Sequence, residues 1–214
     1  MPDILIAEDH SIVRVGTVML IRELYPSAKI AEAETFQEVL DELSKSTFKL
    51  LMLDIHIPGG DNLQMIDAVH LRQPGLPILI FSSYEEHMYA LRYIQAGAKG
   101  YIQKRSPADE IKRAIQKVIN NEKYISSEVQ ELLVNQMLDA KITGERTRSL
   151  SNREMDVMQL LIKGATTSEI KHALNLQDST VSTYKAKIFE KLQVSNVIEL
   201  AEKVRLLNIK KSGD

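Results

Sequence analysis

The 214-residue chain has no cysteine, no tryptophan and a formal charge of only −2 at pH 7. Without cysteine there are no disulfides, no thiolate zinc sites and no cysteine nucleophile. No stretch approaches the about 18 consecutive apolar residues of a membrane-spanning helix. No basic segment followed by a long apolar one opens the chain, so a secretory signal is not expected. These absences point to a cytoplasmic protein without membrane association. The balance of 27 Lys+Arg against 29 Asp+Glu argues, taken whole, against a nucleic-acid binder, which is usually basic. The five histidines (His10, His56, His70, His87, His172) never stand four apart on a helix, which disfavours a histidine metal site. What is present is ordinary for a folded protein: 44% apolar and 26% charged residues. The length suits one or two domains.

The first 120 residues alternate between two hydrophobic periods. Short apolar runs stand at Ile4–Ala7, Leu50–Leu53 and Ile78–Phe81, with weaker ones at Lys29–Ala31 and Gly100–Ile102. Runs of this kind suit parallel strands buried on both faces. Helical stretches are expected between and after them, at about 11–24, 35–45, 62–72, 87–96 and 107–120. This is a (βα)5 pattern, hence an α/β domain with a parallel sheet covered on both faces. Strand signals stop near residue 121. One helix is expected over 127–140, then a polar linker from Lys141 to Arg148, then four short helices. Three of these open on a capping-box pattern: Ser151/Glu154, Thr166/Glu169 and Asn196/Glu199. Leu150 and Met155 stand at the staple positions of the first, and Gly164 stands where a glycine would end it. The expected division is 1–122 for the α/β domain, 123–147 for a partly helical linker and 148–214 for a small all-α domain. Divided this way the charge separates: −3 over residues 1–125 and +2 from residue 149 onward.

In an open α/β sheet ligands bind beyond the C-terminal strand ends. Glu8 and Asp9 follow the first run, Asp54 the third, Ser82 and Ser83 the fourth, and Lys104 the fifth. Each alone is weak; Asp9, for example, would serve equally as the cap of a helix starting near Ser11. Jointly they make three carboxylates, a hydroxyl and an ammonium on one sheet edge. Clustered carboxylates repel unless a cation sits among them, and a few hard oxygen ligands suit Mg²⁺. A metal beside a carboxylate and a lysine is what phosphoryl transfer onto that carboxylate needs.

Glu8-Asp9-His10, Asp54-x-x-x-Pro58, Phe81-Ser82-Ser83, Gly97-Ala98-x-Gly100-Tyr101 and Lys104 together resemble the receiver domain of two-component response regulators, over about residues 3–120. The resemblance implies a flavodoxin-like fold in which Asp54 accepts a phosphoryl group from a sensor histidine kinase. It implies Mg²⁺ held by Glu8, Asp9, Asp54 and the backbone carbonyl of His56. Ser82 and Lys104 then bind the phosphoryl oxygens, and Tyr101 is the switch aromatic that turns inward with Ser82. Arg105 follows the lysine where many receivers have proline. A phosphatase of the haloacid dehalogenase type is a competing reading, but it needs an aspartate two residues after the nucleophile, where this chain has His56.

In residues 178–192, Val181, Tyr184, Ile188 and Leu192 recur at helical spacing and face a core. The opposite face carries Ser179, Ser182, Thr183 and Ala186, with Lys187 at its margin. The preceding helix, about 167–174, is expected to bury Ile170, Ala173 and Leu174, and Asn175–Gln177 forms a turn. This is a helix-turn-helix layout; an ordinary helical hairpin is the competing reading. Leu150-Ser151-x-Arg153-Glu154, Gly164, Glu169-Ile170, Ser179-Thr180-Val181-x-Thr183-Tyr184, Ile188, Lys191-Leu192 and Val194-Ser195 resemble the LuxR-type helix-turn-helix over about 148–207. Gln177 stands where that family has a Ser or Thr cap, a role left to Asp178. The whole chain is thus similar to response regulators of the NarL/FixJ type.

That resemblance implies double-stranded DNA as a partner, contacted through Thr180, Ser182, Thr183, Lys185, Ala186, Lys187 and Lys191. Base reading would use hydroxyls and methyls; Lys185, Lys187 and Lys191 would mainly meet phosphates. The last helix, with Val197, Leu200, Ala201, Val204 and Leu207, would pair two copies when phosphorylated or DNA-bound. The expected function is a transcription regulator switched by phosphorylation of Asp54, a stoichiometric phosphoacceptor and not an enzyme. The alternative is a DNA-binding regulator whose receiver is a phosphorylation-independent dimerisation platform.

Overall fold

The computed structural model describes residues 3–60, 63–84, 86–126, 129–130 and 150–209. The chain divides into two compact units between residues 144 and 145. The helix expected over 127–140 lies, apart from residues 129–130, outside the described residues, as does most of the expected linker.

In the first unit five parallel strands alternate with helices: β1 Asp3–Ala7, α1 Ser11–Leu24, β2 Lys29–Ala33, α2 Phe36–Lys45, β3 Leu50–Leu53, α3 Gln64–Arg72, β4 Ile78–Ser82, α4 Glu86–Gln95, β5 Gly100–Gln103 and α5 Ala108–Ile119. The sheet order is β2-β1-β3-β4-β5. Strands β1, β3 and β4 have a strand on either side and are buried almost throughout, which is why their sequences read as unbroken apolar runs. Strand β2 lies at an edge, and its Lys29 and Glu32 are exposed. One core joins Ile4, Ile6, Leu50, Met52, Leu79 and Phe81 of the sheet to Ile21 of α1 and to α5. Leu5 is equally buried but belongs to the other face, since successive strand side chains alternate. Helix α5 contributes Ile111, Ala114, Ile115 and Val118, an i, i+3, i+4, i+7 stripe.

This core runs past the expected domain end at 122. Tyr124 pairs with Gly100 beside β5, its N–H donates to the Lys99 carbonyl at 2.9 Å, and its hydroxyl donates to Glu110 at 2.8 Å. Gly100 permits this approach: a Cβ there would lie 3.0 Å from Leu79 Cδ1 and 3.1 Å from the Tyr124 carbonyl oxygen. Helix α1 is not capped by Asp9. His10 is the N-cap residue and makes no side-chain cap, while Glu8 Oε1 accepts the His10 N–H at 3.0 Å.

The second unit holds α6 Asn152–Ile162, α7 Thr167–Leu174, α8 Asp178–Leu192 and α9 Val197–Ile209. The capping boxes form at Ser151/Glu154 and Thr166/Glu169. At the third, Asn196 Oδ1 accepts the Glu199 N–H at 2.9 Å, but Glu199 returns its bond to the Ser195 N–H at 2.8 Å. Leu150 and Met155 are both buried, as a hydrophobic staple requires. Gly164 adopts φ +83°, and the Ala165 N–H reaches the Leu160 carbonyl at 3.0 Å, closing a Schellman turn. Val157, Met158, Leu161, Ile170, Val181, Ile188 and Leu200 fill the interior.

Two expectations are corrected. Ala173 is exposed, because α7 turns only its Ile170 face fully inward. Helix α8 opens without a side-chain cap; Asp178 is its first residue, and the carboxylate accepts instead from Lys171 Nζ at 2.7 Å.

The buried Glu154 carboxylate also accepts from Lys191 Nζ at 2.7 Å, tying α6 to α8. Burial works to raise its pKa, but the Lys191 ammonium and the Ser151 N–H and hydroxyl bonds hold it below the ordinary carboxylate value. A depressed folded-state pKa contributes stability above the unfolded value, lost as pH falls through the folded one.

Two outcomes are expected of the full-length protein under urea. Gly100→Ala destabilises the first unit by about 1–3 kcal/mol through overpacking against Tyr124. Glu154→Gln destabilises the second unit by about 1.5–3 kcal/mol at pH 7, the scale of a hydrogen bond to a charged group. That deficit shrinks below pH 4.5 as the parent's own carboxylate protonates. Hydrogen exchange in α6 and α8 across pH checks the second; a deficit unchanged at acid pH removes the ion pair from the account.

Candidate functional site

Backbone hydrogen bonds of the sheet continue one residue beyond the strands and bring the polar residues together. The Glu8 N–H donates to the Ala33 carbonyl at 3.0 Å, Asp54 N–H to Ala7 at 2.9 Å, and Lys104 N–H to Ser82 at 2.8 Å. Glu8, Asp54 and Lys104 therefore leave the sheet in register at its C-terminal edge. This order places them around the β1/β3 switch point, where a crevice forms in doubly wound sheets.

Lys104 Nζ sits between two buried carboxylates, 2.5 Å from Glu8 Oε2 and 2.9 Å from Asp54 Oδ2, with its side chain 10% exposed. Burial opposes its charge, but Asp54 and Glu8 hold its pKa above the ordinary lysine value. Asp9, 32% exposed, stands at the mouth, and His10 Nδ1 bridges Glu8 Oε1 at 3.0 Å and Asp9 Oδ1 at 2.8 Å. The hydrogen bond from His10 to Glu8 and the charge of Asp9 raise the imidazole pKa. Ligand atoms from Glu8, Asp9, His10 and Asp54 all lie within 4.8 Å of one another. Three carboxylates against one buried ammonium leave excess negative charge, and the oxygen donors suit a hard divalent cation such as Mg²⁺.

Around the acid cluster, the His56 N–H donates to Asp54 Oδ1 at 3.2 Å, and the His56 ring stacks on Tyr84 with centroids 4.5 Å apart. Ser82 is fully buried, and its Oγ accepts the Tyr84 N–H at 3.2 Å. Tyr101 is turned inward and buried, donating its hydroxyl to the Tyr84 carbonyl at 3.0 Å; burial pushes the phenol pKa up, so the donor proton is held. All five pocket residues picked from the sequence, Glu8, Asp9, Asp54, Ser82 and Lys104, thus lie at one sheet edge.

Two contributors were missed. Tyr84 joins Ser82, Tyr101 and His56, and nothing in its local sequence marks it. Arg14 is only 12% exposed and clamps three points: it donates to the Glu8 carbonyl at 2.8 Å, to Glu32 at 3.0 Å and to Glu34 at 2.5 Å. Its signal was the alternating Glu32 and Glu34 at the end of the edge strand.

In the second unit, α7, the turn and α8 form the expected helix-turn-helix. Asn175 ends α7 in the left-handed conformation, φ 50°. Val181 and Ile188 are buried, while Ser179, Ser182, Thr183, Ala186 and Lys187 are exposed. Thr180 and Lys185 are half-buried, and Lys185 Nζ lies 5.6 Å over the Phe189 ring. Lys191 departs from its expected place on the DNA face: its ammonium is taken up by Glu154. Along α9, Leu200 is buried and Val197, Ala201 and Val204 are half-buried; the Leu207 side chain lies outside the described residues. Among the described residues no helix is long and apolar enough to cross a membrane.

Residues 4–116 match the family model of the response regulator receiver domain, and residues 148–204 match that of the bacterial regulatory proteins of the luxR family. The chain is 26% identical over 200 residues to the response regulator UvrY of Escherichia coli K12, covering 94% of this chain and 92% of the relative. It is 29% identical over 199 residues to the Fimbriae Z protein of Salmonella typhimurium LT2, covering 93% and 94%. Its fold is that of the Salmonella typhimurium RcsB response regulator, with a TM-score of 0.59 at 23% identity over 96% of this chain and 100% of that one. With the receiver pocket on one unit and the helix-turn-helix on the other, the chain belongs to the two-component response regulators with a luxR-type DNA-binding domain.

Proposed function

We propose that this response regulator is a cytoplasmic transcription regulator switched by Mg²⁺-dependent phosphorylation of Asp54 from a sensor histidine kinase. The observation that carries the reading is the buried Lys104 ammonium held between Asp54 and Glu8 at the sheet edge. A lysine buried there for packing alone would cost desolvation without return. Opposite an acceptor carboxylate it is preorganised for the charge that phosphoryl transfer brings.

In the reaction an Asp54 carboxylate oxygen attacks the phosphorus of the kinase phosphohistidine. The P–N bond breaks, its electron pair returns to the imidazole, which takes up a proton, and an acyl phosphate forms on Asp54. Lys104 turns its ammonium to the phosphoryl oxygens, and Ser82 bonds one of them from the end of β4. Glu8, Asp9, Asp54 and the His56 carbonyl would hold Mg²⁺, which neutralises phosphoryl charge when bound. Arg14 positions the Glu8–Asp9 turn by its bond to the Glu8 carbonyl. The protein is consumed stoichiometrically as a phosphoacceptor and is not a turnover enzyme. The hydrogen bonds of Tyr84 to Ser82 and Tyr101 support a switch in which Ser82, Tyr84 and Tyr101 move together.

Output is DNA binding by α8, with Ser182, Thr183 and Ala186 toward bases and Lys187 and Lys185 toward phosphates. Thr180 flanks the same face. The half-buried stripe of α9 supports pairing of two copies on DNA.

Incubated with Mg²⁺ and a small phosphodonor, the protein gains the mass of one phosphoryl group, and Asp54→Asn gains none; an unchanged parent mass removes the switch. Lys187→Ala weakens binding to all duplexes alike and reduces the salt slope by about one. Fluorescence anisotropy across a salt series measures this, and a loss confined to one base position contradicts the phosphate role.

A further inference from the structure

Ser182 and Thr183, on the exposed face of α8, have both committed their only hydroxyl proton. Ser182 Oγ donates to the Asp178 carbonyl at 3.0 Å, and Thr183 Oγ1 donates to the Ser179 carbonyl at 2.9 Å. A hydroxyl holds one donor and two acceptor lone pairs. With the donor folded back on the helix, each oxygen offers only acceptors outward. Beside them lie the Thr183 γ-methyl and the Ala186 methyl. From Ser179 to Lys187 the helix carries no Arg, Asn or Gln; of the side chains that read guanine or adenine bidentately it has only Lys185 and Lys187. Lys187 is at the margin, and Lys185 is half-buried over the Phe189 ring.

The major groove presents hydrogen-bond donors at two places, the N6 amino group of adenine and the N4 amino group of cytosine, and a methyl at thymine C5. Guanine shows two acceptors there, O6 and N7. Acceptors set against acceptors leave both sides unpaired and dry, which costs more than a neutral mismatch. For the hydroxyls to turn outward as donors they would have to give up their bonds within the helix.

We propose that α8 is an amino-group and methyl reader. The bases facing Ser182 and Thr183 are adenine or cytosine, thymine methyls pack on Thr183 and Ala186, and guanine is rejected at the positions facing the two hydroxyls. This rests on α8 being the DNA-reading helix. It goes beyond that assignment by naming the chemical groups recognised and the base refused.

The experiment uses the full chain, phosphorylated with a small phosphodonor and Mg²⁺. Its preferred site is selected from random duplexes. Bases of that site are then replaced singly by analogues: purine for adenine and 2-pyrimidinone for cytosine, each lacking the amino group, uracil for thymine, and 7-deazaguanine for guanine. At the positions facing α8, loss of an amino group weakens binding about five- to tenfold, the scale of one hydrogen bond, and 7-deazaguanine changes it less than about twofold. Thr183→Val keeps the shape and methyl but deletes the oxygen; in it the penalty for the amino-less base facing residue 183 disappears. Ser182→Ala does the same at the neighbouring position. Circular dichroism confirms that both variants keep their helix content. A site that depends on guanine N7 and is indifferent to amino groups overturns the inference while leaving α8 as the reader. Penalties that persist in both variants also overturn it. Failure to select any site, with no retention of DNA, overturns the DNA-reading assignment itself and this inference with it.

Discussion

The first unit turns on one electrostatic constraint. Two buried carboxylates, Glu8 and Asp54, are brought together by adjacent strands, and like charges in a low-dielectric site do not stay ionised without a cation. Lys104 meets that need from the end of β5, three strands from β1 and two from β3, so the charge balance spans the sheet from β1 to β5. The same need continues outward. One ammonium does not neutralise all three acids, and the surplus charge with its oxygen donors suits a hard divalent cation.

The second unit is organised differently. Its helices need their ends satisfied. Reciprocal caps at α6 and α7, a Schellman turn after α6 and left-handed residues after α7 and α8 supply this. Glu154 serves twice, as cap partner of Ser151 and as ion-pair partner of Lys191. The Lys191 ammonium is thereby turned toward α6.

Much of this is legible in the amino-acid sequence. The central strands stood out because burial on both faces demands continuous apolar runs, and the pocket acids because they end those runs. Capping boxes are local and therefore readable. What escaped was set by tertiary pairing. Arg14 gains its partners only when β2 places Glu32 and Glu34 beside it. Tyr84 gains its role from Tyr101 and His56, both distant in sequence. Lys191 was misplaced because its partner lies 37 residues away on another helix. Sequence position alone offers Asp178 as a cap and Asp9 as a cap in competition with its place in the acid cluster. The first helix is instead served by Glu8 from one residue before, and Asp178 is engaged by Lys171.

The sheet ladder extends one residue past β1, β3 and β5. Glu8, Asp54 and Lys104 are anchored through their own backbone N–H groups, so their placement carries the stiffness of the sheet and almost no loop entropy. Asp9 lies beyond that ladder on the turn and is a third exposed. A cation held at this edge would thus meet one compliant carboxylate on the turn, while Asp54 and Lys104 stay fixed by the same bonds that hold the fold.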